Sequence, residues 1–463
     1  MYAPPLNEPT IKRLIADEIA LFEERNRKSG ELHRDARDSG FWQGVPMPWM
    51  AEWGLPHPLY VDRARGAHLT DVDGHTYSDF CLGDTGAMFG HSPAATQAAV
   101  AEGMDRGITT MLPHADALAV AGHLRERFRL PHWQTAMTAT DANRFVIRIA
   151  RALTGRPKGL VTRYCYHGSV EESMTKLSDG RPAPRAKWPV NPGVRMDQIA
   201  RLVEFNDFAD IERELAHEDV AVVMMEPVMT NNGMVMPADG YLEHVQELCR
   251  EFGSYLLIDE THTLSTGWAG YAAEHGLQPD FLVVGKAIAG GVPVAVYGFT
   301  DAISEAMNAT FATAFQTSQM GLGGTLTGNA FVLRAMQATL TEVATPAAFD
   351  RMISLCTRAA EGLEAGIAAA GLPWTVTRCG ARCELQYLPR SPRTGTESHD
   401  ALDWNLIEHS HLFLLNRDVM ITPFHNMILC SPETTESDVD RLGAVFAEWM
   451  QVIAANRTDR GMT

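Results

Sequence analysis

The chain has 463 residues, 45% of them hydrophobic and 21% charged, with a formal net charge of −18. That is enough apolar material for one large domain with a smaller satellite, and too much for a disordered chain. The acidic balance argues against nucleic acid or an anionic membrane as partner, because both need basic surface. Residues 1–40 are charged, with Ile11, Leu14, Ile15, Ile19 and Phe22 near helical spacing, and predict a helix on the outside or on a partner subunit. Residues 41–60 carry three tryptophans and four prolines and predict an ordered irregular segment. LYVDRARGAHLTDVDGHTYSDF then alternates around Arg-Gly and Asp-Gly, a pattern for small antiparallel strands.

From about 90 to 330, helical stretches alternate with five apolar runs: 159–164, 220–227, 255–260, 281–286 and 294–299. Such alternation predicts an α/β fold, a mostly parallel sheet covered on both faces. An Ala-rich helix, CELQYL (383–388), MITPFHNMILCS (420–431) and a last helix predict a smaller α+β domain. The expected division is 1–75 as an N-terminal segment of the small domain, 76–330 as the large domain, and 331–463 as the rest of the small one. Seven scattered cysteines suggest a reducing compartment, and Cys379 and Cys383 lack the second pair of a metal site, so no metal is expected. The N-terminus has no signal-peptide pattern and no apolar run reaches the ~18 residues of a membrane span, so a cytoplasmic protein is expected.

Two strands end in functional groups rather than turn residues. Lys286 closes FLVVGK, and a partly desolvated amine there can form a Schiff base; the plainer reading is a lysine snorkelling from a strand end. Asp259 closes YLLID 27 positions earlier, and a buried carboxylate wants a cation or a protonated ring nitrogen; the plainer reading is an ion pair. In MTATDANRFVIRIARALTG (137–155), Ala142, Phe145, Val146, Ile149, Ala150 and Leu153 mark one helix face. Thr138, Ala139 and Thr140 stand at its N-terminus, an anion site or a simple cap. Tyr166 follows a strand and can lie on a planar ring, with His167 after it. Glu226 ends another strand ahead of Asn231, and Gly324 and Thr325 lead small residues into a helix. A stacking face, an anion site, a carboxylate and a lysine together describe pyridoxal 5′-phosphate (PLP).

The order of these motifs resembles the class III aminotransferases of PLP fold type I, in the branch of glutamate-1-semialdehyde aminomutase and the β-amino-acid transaminases. The likeness runs over roughly 40–445. The family's phosphate turn matches Thr138-Ala139-Thr140-Asp141-Ala142, its Tyr-His-Gly matches Tyr166-His167-Gly168, and its Glu-Pro-Val with Asn matches Glu226-Pro227-Val228 and Asn231. Its Asp-Glu-Val matches Asp259-Glu260-Thr261, its Gly-Lys-x-x-Gly-Gly starts at Gly285-Lys286, and its Gly-Thr-Leu-Ser-Gly-Asn matches Gly324 to Asn329. The resemblance implies that Lys286 bonds the cofactor and moves the substrate proton, and that Asp259 keeps the ring nitrogen protonated. It also implies Tyr166 on one ring face and Thr261, where relatives have valine, on the other. Gly324 and Thr325 would reach the phosphate of a neighbouring subunit, so a homodimer with ping-pong Schiff-base chemistry is expected. The partners are then a small-molecule amine donor and a keto acceptor.

Two departures bear on the substrate. Relatives grip a carboxylate with an arginine in the N-terminal segment or in the C-terminal domain. Here the matching stretches are Gly44 to Met50 and Pro423 to Met427, without arginine. Trp49, Met50 and Phe424 suggest an apolar pocket, and nothing selects Arg37, Arg163 or Arg417 as a substitute. The expected activity is an amine (ω-type) transaminase acting on a hydrophobic primary amine. A β-amino-acid transaminase or a glutamate-1-semialdehyde-type aminomutase is the alternative. The opposing classes are a catalytically silent fold-type I protein and a metal hydrolase built on Glu260 and His262.

Overall fold

The computed structural model describes residues 5–185, 194–311 and 319–457. The chain forms two compact units. Unit 1 is Met1–Ser92, Asp350–Ser391 and Asp400–Thr463, and unit 2 is Pro93–Phe349 with Pro392–His399.

Unit 2 is built on one seven-stranded sheet. Its strands are β1 (His132–Ala136), β2 (Lys158–Thr162), β3 (Ala200–Val203), β4 (Val220–Met225), β5 (Tyr255–Asp259), β6 (Phe281–Val284) and β7 (Ala295–Phe299). Their order across the sheet is β1-β7-β6-β5-β4-β2-β3. β7 runs antiparallel to both of its neighbours, β1 and β6, and the remaining pairs of this sheet are parallel. Every residue of β4, β6 and β7 is buried, which explains why these strands read as unbroken apolar runs: both faces are covered. The five expected strands are the central ones. The two that the apolar pattern did not reveal, β1 and β3, lie at the edges, and β1 (HWQTA) has one fully buried residue. The helix Ala139–Thr154 packs its Ala142, Phe145, Val146, Ile149 and Ala150 into the sheet's core cluster.

This topology positions the chemistry. Strands β2, β4, β5 and β6 are parallel, so their carboxyl ends open on one edge of the sheet. Asp259 is the last residue of β5, Glu226 follows β4, the Tyr166-His167 pair follows β2, and Lys286 lies two residues past β6.

Unit 1 has a four-stranded sheet, in which Val61–Arg65, His68–Asp71 and Thr76–Asp79 form the expected antiparallel ribbon and Val419–Met420 adds in parallel. Thr375–Cys379, Arg382–Gln386 and Met427–Leu429 make a second, antiparallel sheet. The N-terminal helix Glu8–Arg25 lies on the outside of its own unit, one of the two placements expected, with its polar face exposed. Its Ile11, Leu14, Ile15 and Phe22 are buried in the unit's own core beside Leu363, Leu412, Phe446 and Trp449, because that apolar stripe has a partner within the unit. Segment 41–60 is the expected irregular stretch, with short 3₁₀ turns at Trp42–Gly44 and Pro48–Ala51.

Candidate active site

Asp259 sits buried at the end of β5 inside a shell of donors. One carboxylate oxygen accepts from His167 Nδ1 at 2.9 Å and Asn143 Nδ2 at 2.9 Å, and the other from the Thr261 amide at 3.0 Å. Burial works against its charge, but the His167 hydrogen bond and charge, with Thr261 and Asn143, hold the carboxyl down at about 2. Burial likewise opposes a charged His167; the Cys165 sulfur and the Asp259 carboxylate outweigh it and push the imidazole up to about 10. Each partner favours the charged form of the other. Asn143 also bonds the His167 carbonyl at 3.3 Å, so one helical side chain braces both partners. A carboxylate offers about four acceptor directions, and three donors occupy it here.

The helix N-terminus comes to the same place. Thr138 caps the helix: its hydroxyl accepts from the Asp141 amide at 3.1 Å. The Thr140 hydroxyl accepts from the Ser169 amide at 3.2 Å. A Cβ on Gly168, whose φ is +75°, would land on the Thr140 hydroxyl, and one on Gly285 would lie 2.9 Å from Ala139 Cβ. The loop after β2 and the chain leading into Lys286 therefore both abut the first turn of this helix. The first-turn amides of Ala139 and Thr140 have no intrahelical acceptor, and they stand at the positive end of a 16-residue helix.

Lys286 is half-buried and takes a left-handed backbone, φ +48°. Its Nζ lies 2.5 Å from His262 Nε2. Glu260 goes elsewhere. It accepts from the Tyr271 and Ala272 amides at 2.5 and 2.7 Å and so caps the segment beginning at Gly270. Burial pushes its carboxyl up to about 7 against those amides. Glu260 and His262, the pair a metal hydrolase would need, serve different partners. Among the described residues, no group of three or more His, Cys, Asp or Glu side chains could hold a metal ion.

The remaining sequence candidates divide. Glu226 is buried beyond β4 and accepts from Thr230 and, at 3.1 Å, from Asn231; burial raises its pKa. Tyr166 is half-buried on the loop between Cys165 and His167. Thr261 is buried, and its hydroxyl lacks a partner among the described residues. Gly324 and Thr325 are exposed in a turn before the helix Ala330–Ala338 and take no part in the bonds around Asp259. Trp49, Met50 and Phe424 belong to unit 1, where the Trp49 and Phe424 rings meet edge-on at 5.2 Å. Arg417 is engaged by Glu18 and Glu448, Arg163 lies 3.8 Å from Glu204, and Arg37 is exposed. Unit 1 holds a further arginine, Arg382, buried against Thr85 and 2.5 Å from Met427 Sδ. Asn143 is a site group that the sequence reading did not name, and His262, read there only as half of a metal pair, lies instead against Lys286. Asn143 had a signal, a polar residue within the buried face of an apolar helix.

The family model for aminotransferase class-III matches residues 49–429. The chain belongs to the class-III aminotransferases. A glutamate-1-semialdehyde-aminomutase from Pseudomonas aeruginosa PAO1 is 45% identical, with a TM-score of 0.93 over 97% of this chain and 99% of that one. A lysine-to-alanine variant of it in complex with PMP matches at 45% identity and a TM-score of 0.92, over 96% of this chain and 98% of that one. A beta-phenylalanine aminotransferase from Variovorax paradoxus is 25% identical, with a TM-score of 0.82 over 96% of this chain and 98% of that one. The fold is that of PLP fold type I, and the cofactor of a class-III aminotransferase is PLP. The residues present fit it. A buried carboxylate held in its charged form, two first-turn helix amides without intrahelical acceptors, a threonine hydroxyl without a partner among the described residues, and a lysine amine all lie beyond the carboxyl ends of the parallel strands.

Proposed function

We propose that this aminotransferase moves an amino group between a hydrophobic primary amine and a ketone or a keto acid such as pyruvate. The observation that carries the amino-transfer chemistry is the arrangement of Lys286, ionised Asp259 and the Ala139–Thr140 amides about one edge of the unit 2 sheet. When bound, PLP supplies the carbon that carries the amino group and a ring that takes up the electron pair freed at the donor carbon. The Ala139 and Thr140 amides would hold its phosphate. Asp259 would face its ring nitrogen as a fixed negative charge, with His167 and Asn143 locking the carboxylate and Glu226 with Asn231 backing the loop. Tyr166 and Thr261 would flank the ring. Lys286 Nζ would take the proton from the donor's amine-bearing carbon and return it at the other end of the transfer.

For the donor, the support is Trp49, Met50 and Phe424 in stretches where relatives place an arginine. An aromatic pair favours an apolar group and offers no bidentate partner to a carboxylate. Gly324 and Thr325 would meet the phosphate of a second copy. Exposed Met104, Ile108, Met111, Leu112, Leu118 and Leu326 in unit 2 fit a surface that a homodimer would cover. The test is a donor panel read by loss of the holoenzyme's visible absorbance, setting 1-phenylethylamine and bulkier aryl amines against β-phenylalanine and common α-amino acids. Response to neutral amines supports this reading. Response to carboxylated donors alone overturns it.

A second reading, an intramolecular aminomutase, is favoured by the 45% identity to the Pseudomonas protein. It needs no separate acceptor, so isomerisation of glutamate-1-semialdehyde without added keto acid would establish it.

A further inference from the structure

We infer that His262 positions the Lys286 amine and accepts its proton; this rests on the reading above, in which Lys286 is the reacting amine. The contact is Nζ to Nε2 at 2.5 Å. Two nitrogens this close share one proton, so the pair exists as ammonium with neutral imidazole or as neutral amine with imidazolium, not as two cations.

Both ends of the contact are held. Lys286 adopts φ +48°, a left-handed backbone that side-chain-bearing residues rarely take, and a Cβ on Gly285 would lie 2.9 Å from Ala139 Cβ. The His262 ring is buried, and its carbonyl accepts from the Ser265 amide at 3.2 Å and hydroxyl at 2.9 Å. Just before it, Asp259 is fixed by His167, Asn143 and the Thr261 amide, and Glu260 by the Tyr271 and Ala272 amides. The segment carrying the ring is pinned on both sides.

The chemistry follows from the lone pair. An amine attacks a carbonyl carbon, or takes a proton from carbon, only when neutral, so an ammonium must first give up a proton. Transfer of one proton from Nζ to Nε2 breaks an N–H bond on lysine, forms one on histidine, and moves the positive charge with it. The lone pair on Nζ is then available, and the reverse transfer restores the start. No further reactant is required.

The test is the rate at which the whole chain, stripped of PLP, captures added PLP. Growth of the visible band reports the rate, and borohydride reduction with peptide mass analysis locates the attachment. Melting temperatures of the stripped proteins report the fold. We expect His262→Phe and His262→Gln each to slow capture about a hundredfold, the scale of a lost proton acceptor, with melting temperatures near that of the unsubstituted protein. Glutamine can accept a hydrogen bond but cannot take the proton, so it separates proton transfer from packing and decides the matter if the phenylalanine variant does not fold. Capture by His262→Gln at the unsubstituted rate overturns the inference while the functional reading stands. Attachment of PLP anywhere but Lys286 in the unsubstituted protein overturns both.

Discussion

Gly168→Ala is a one-methyl test of how the site is assembled. Gly168 has φ +75°, and a Cβ there would fall on the Thr140 hydroxyl, 2.8 Å from Thr140 Cβ and 3.0 Å from its Cα. The left-handed backbone costs alanine about 1–2 kcal/mol and overpacking about 1–3 kcal/mol, so the expected loss is about 2–5 kcal/mol. The strain falls between the loop carrying His167 and the helix turn assigned to the phosphate. Relief requires them to part, so PLP affinity should drop at least tenfold, about 1.4 kcal/mol. Adding Thr140→Ala removes the hydroxyl but leaves the rest of residue 140 still within 3.0 Å of the new methyl group, so the double variant should recover little. Titration of the stripped protein with PLP, followed by its visible band, measures the affinity, and thermal melting measures the stability. Unchanged affinity and melting in Gly168→Ala would refute the close packing of this loop on the helix, and with it the placement of the phosphate.

Two further outcomes are expected. Asp259→Asn leaves His167 buried without its counter-charge; breaking such a pair costs up to about 3–5 kcal/mol, and loss of ring-nitrogen protonation should cut turnover well beyond tenfold. Turnover close to the unsubstituted value, in protein that still binds PLP, would remove Asp259 from its role. Acid should weaken unit 1 through buried His411, whose pKa burial lowers from 6.5 to about 4. The unfolded chain then binds the extra proton between these values, so stability is full above about 6.5 and falls as pH drops toward 4. The amount is about 3 kcal/mol. Among the described residues, His411 has no hydrogen-bond partner on either ring nitrogen, and it meets Trp53 edge-on at 5.7 Å. His411→Phe should therefore keep the packing and reduce the pH dependence of urea unfolding between about pH 7 and 4.5, the rest of the slope coming from buried His409, whose pKa burial also lowers to about 4; an identical slope in both proteins would disprove the assignment.

The parts legible in sequence were those where burial leaves a one-dimensional trace. Strands β2, β4, β5, β6 and β7 are covered on both faces and read as apolar runs, so the groups that interrupt them, Asp259 and Lys286, stood out. Edge strands β1 and β3 have one neighbour each and carry polar residues, which hides them. His262 was visible as a residue but not as a partner of Lys286. The two are 24 positions apart, and their contact depends on the loop beyond β5 folding back toward the end of β6. The N-terminal helix shows the limit of periodicity, which marks an apolar face but not the surface that covers it.

The measurement that tests the central claim most directly is the visible spectrum and turnover of Lys286→Ala, loaded with PLP, beside the unsubstituted protein. Loss of both the lysine-dependent visible band and amino transfer is the expected result. A variant that keeps normal turnover would contradict the assignment of Lys286 as the reacting amine, and the mechanism built on it would fall.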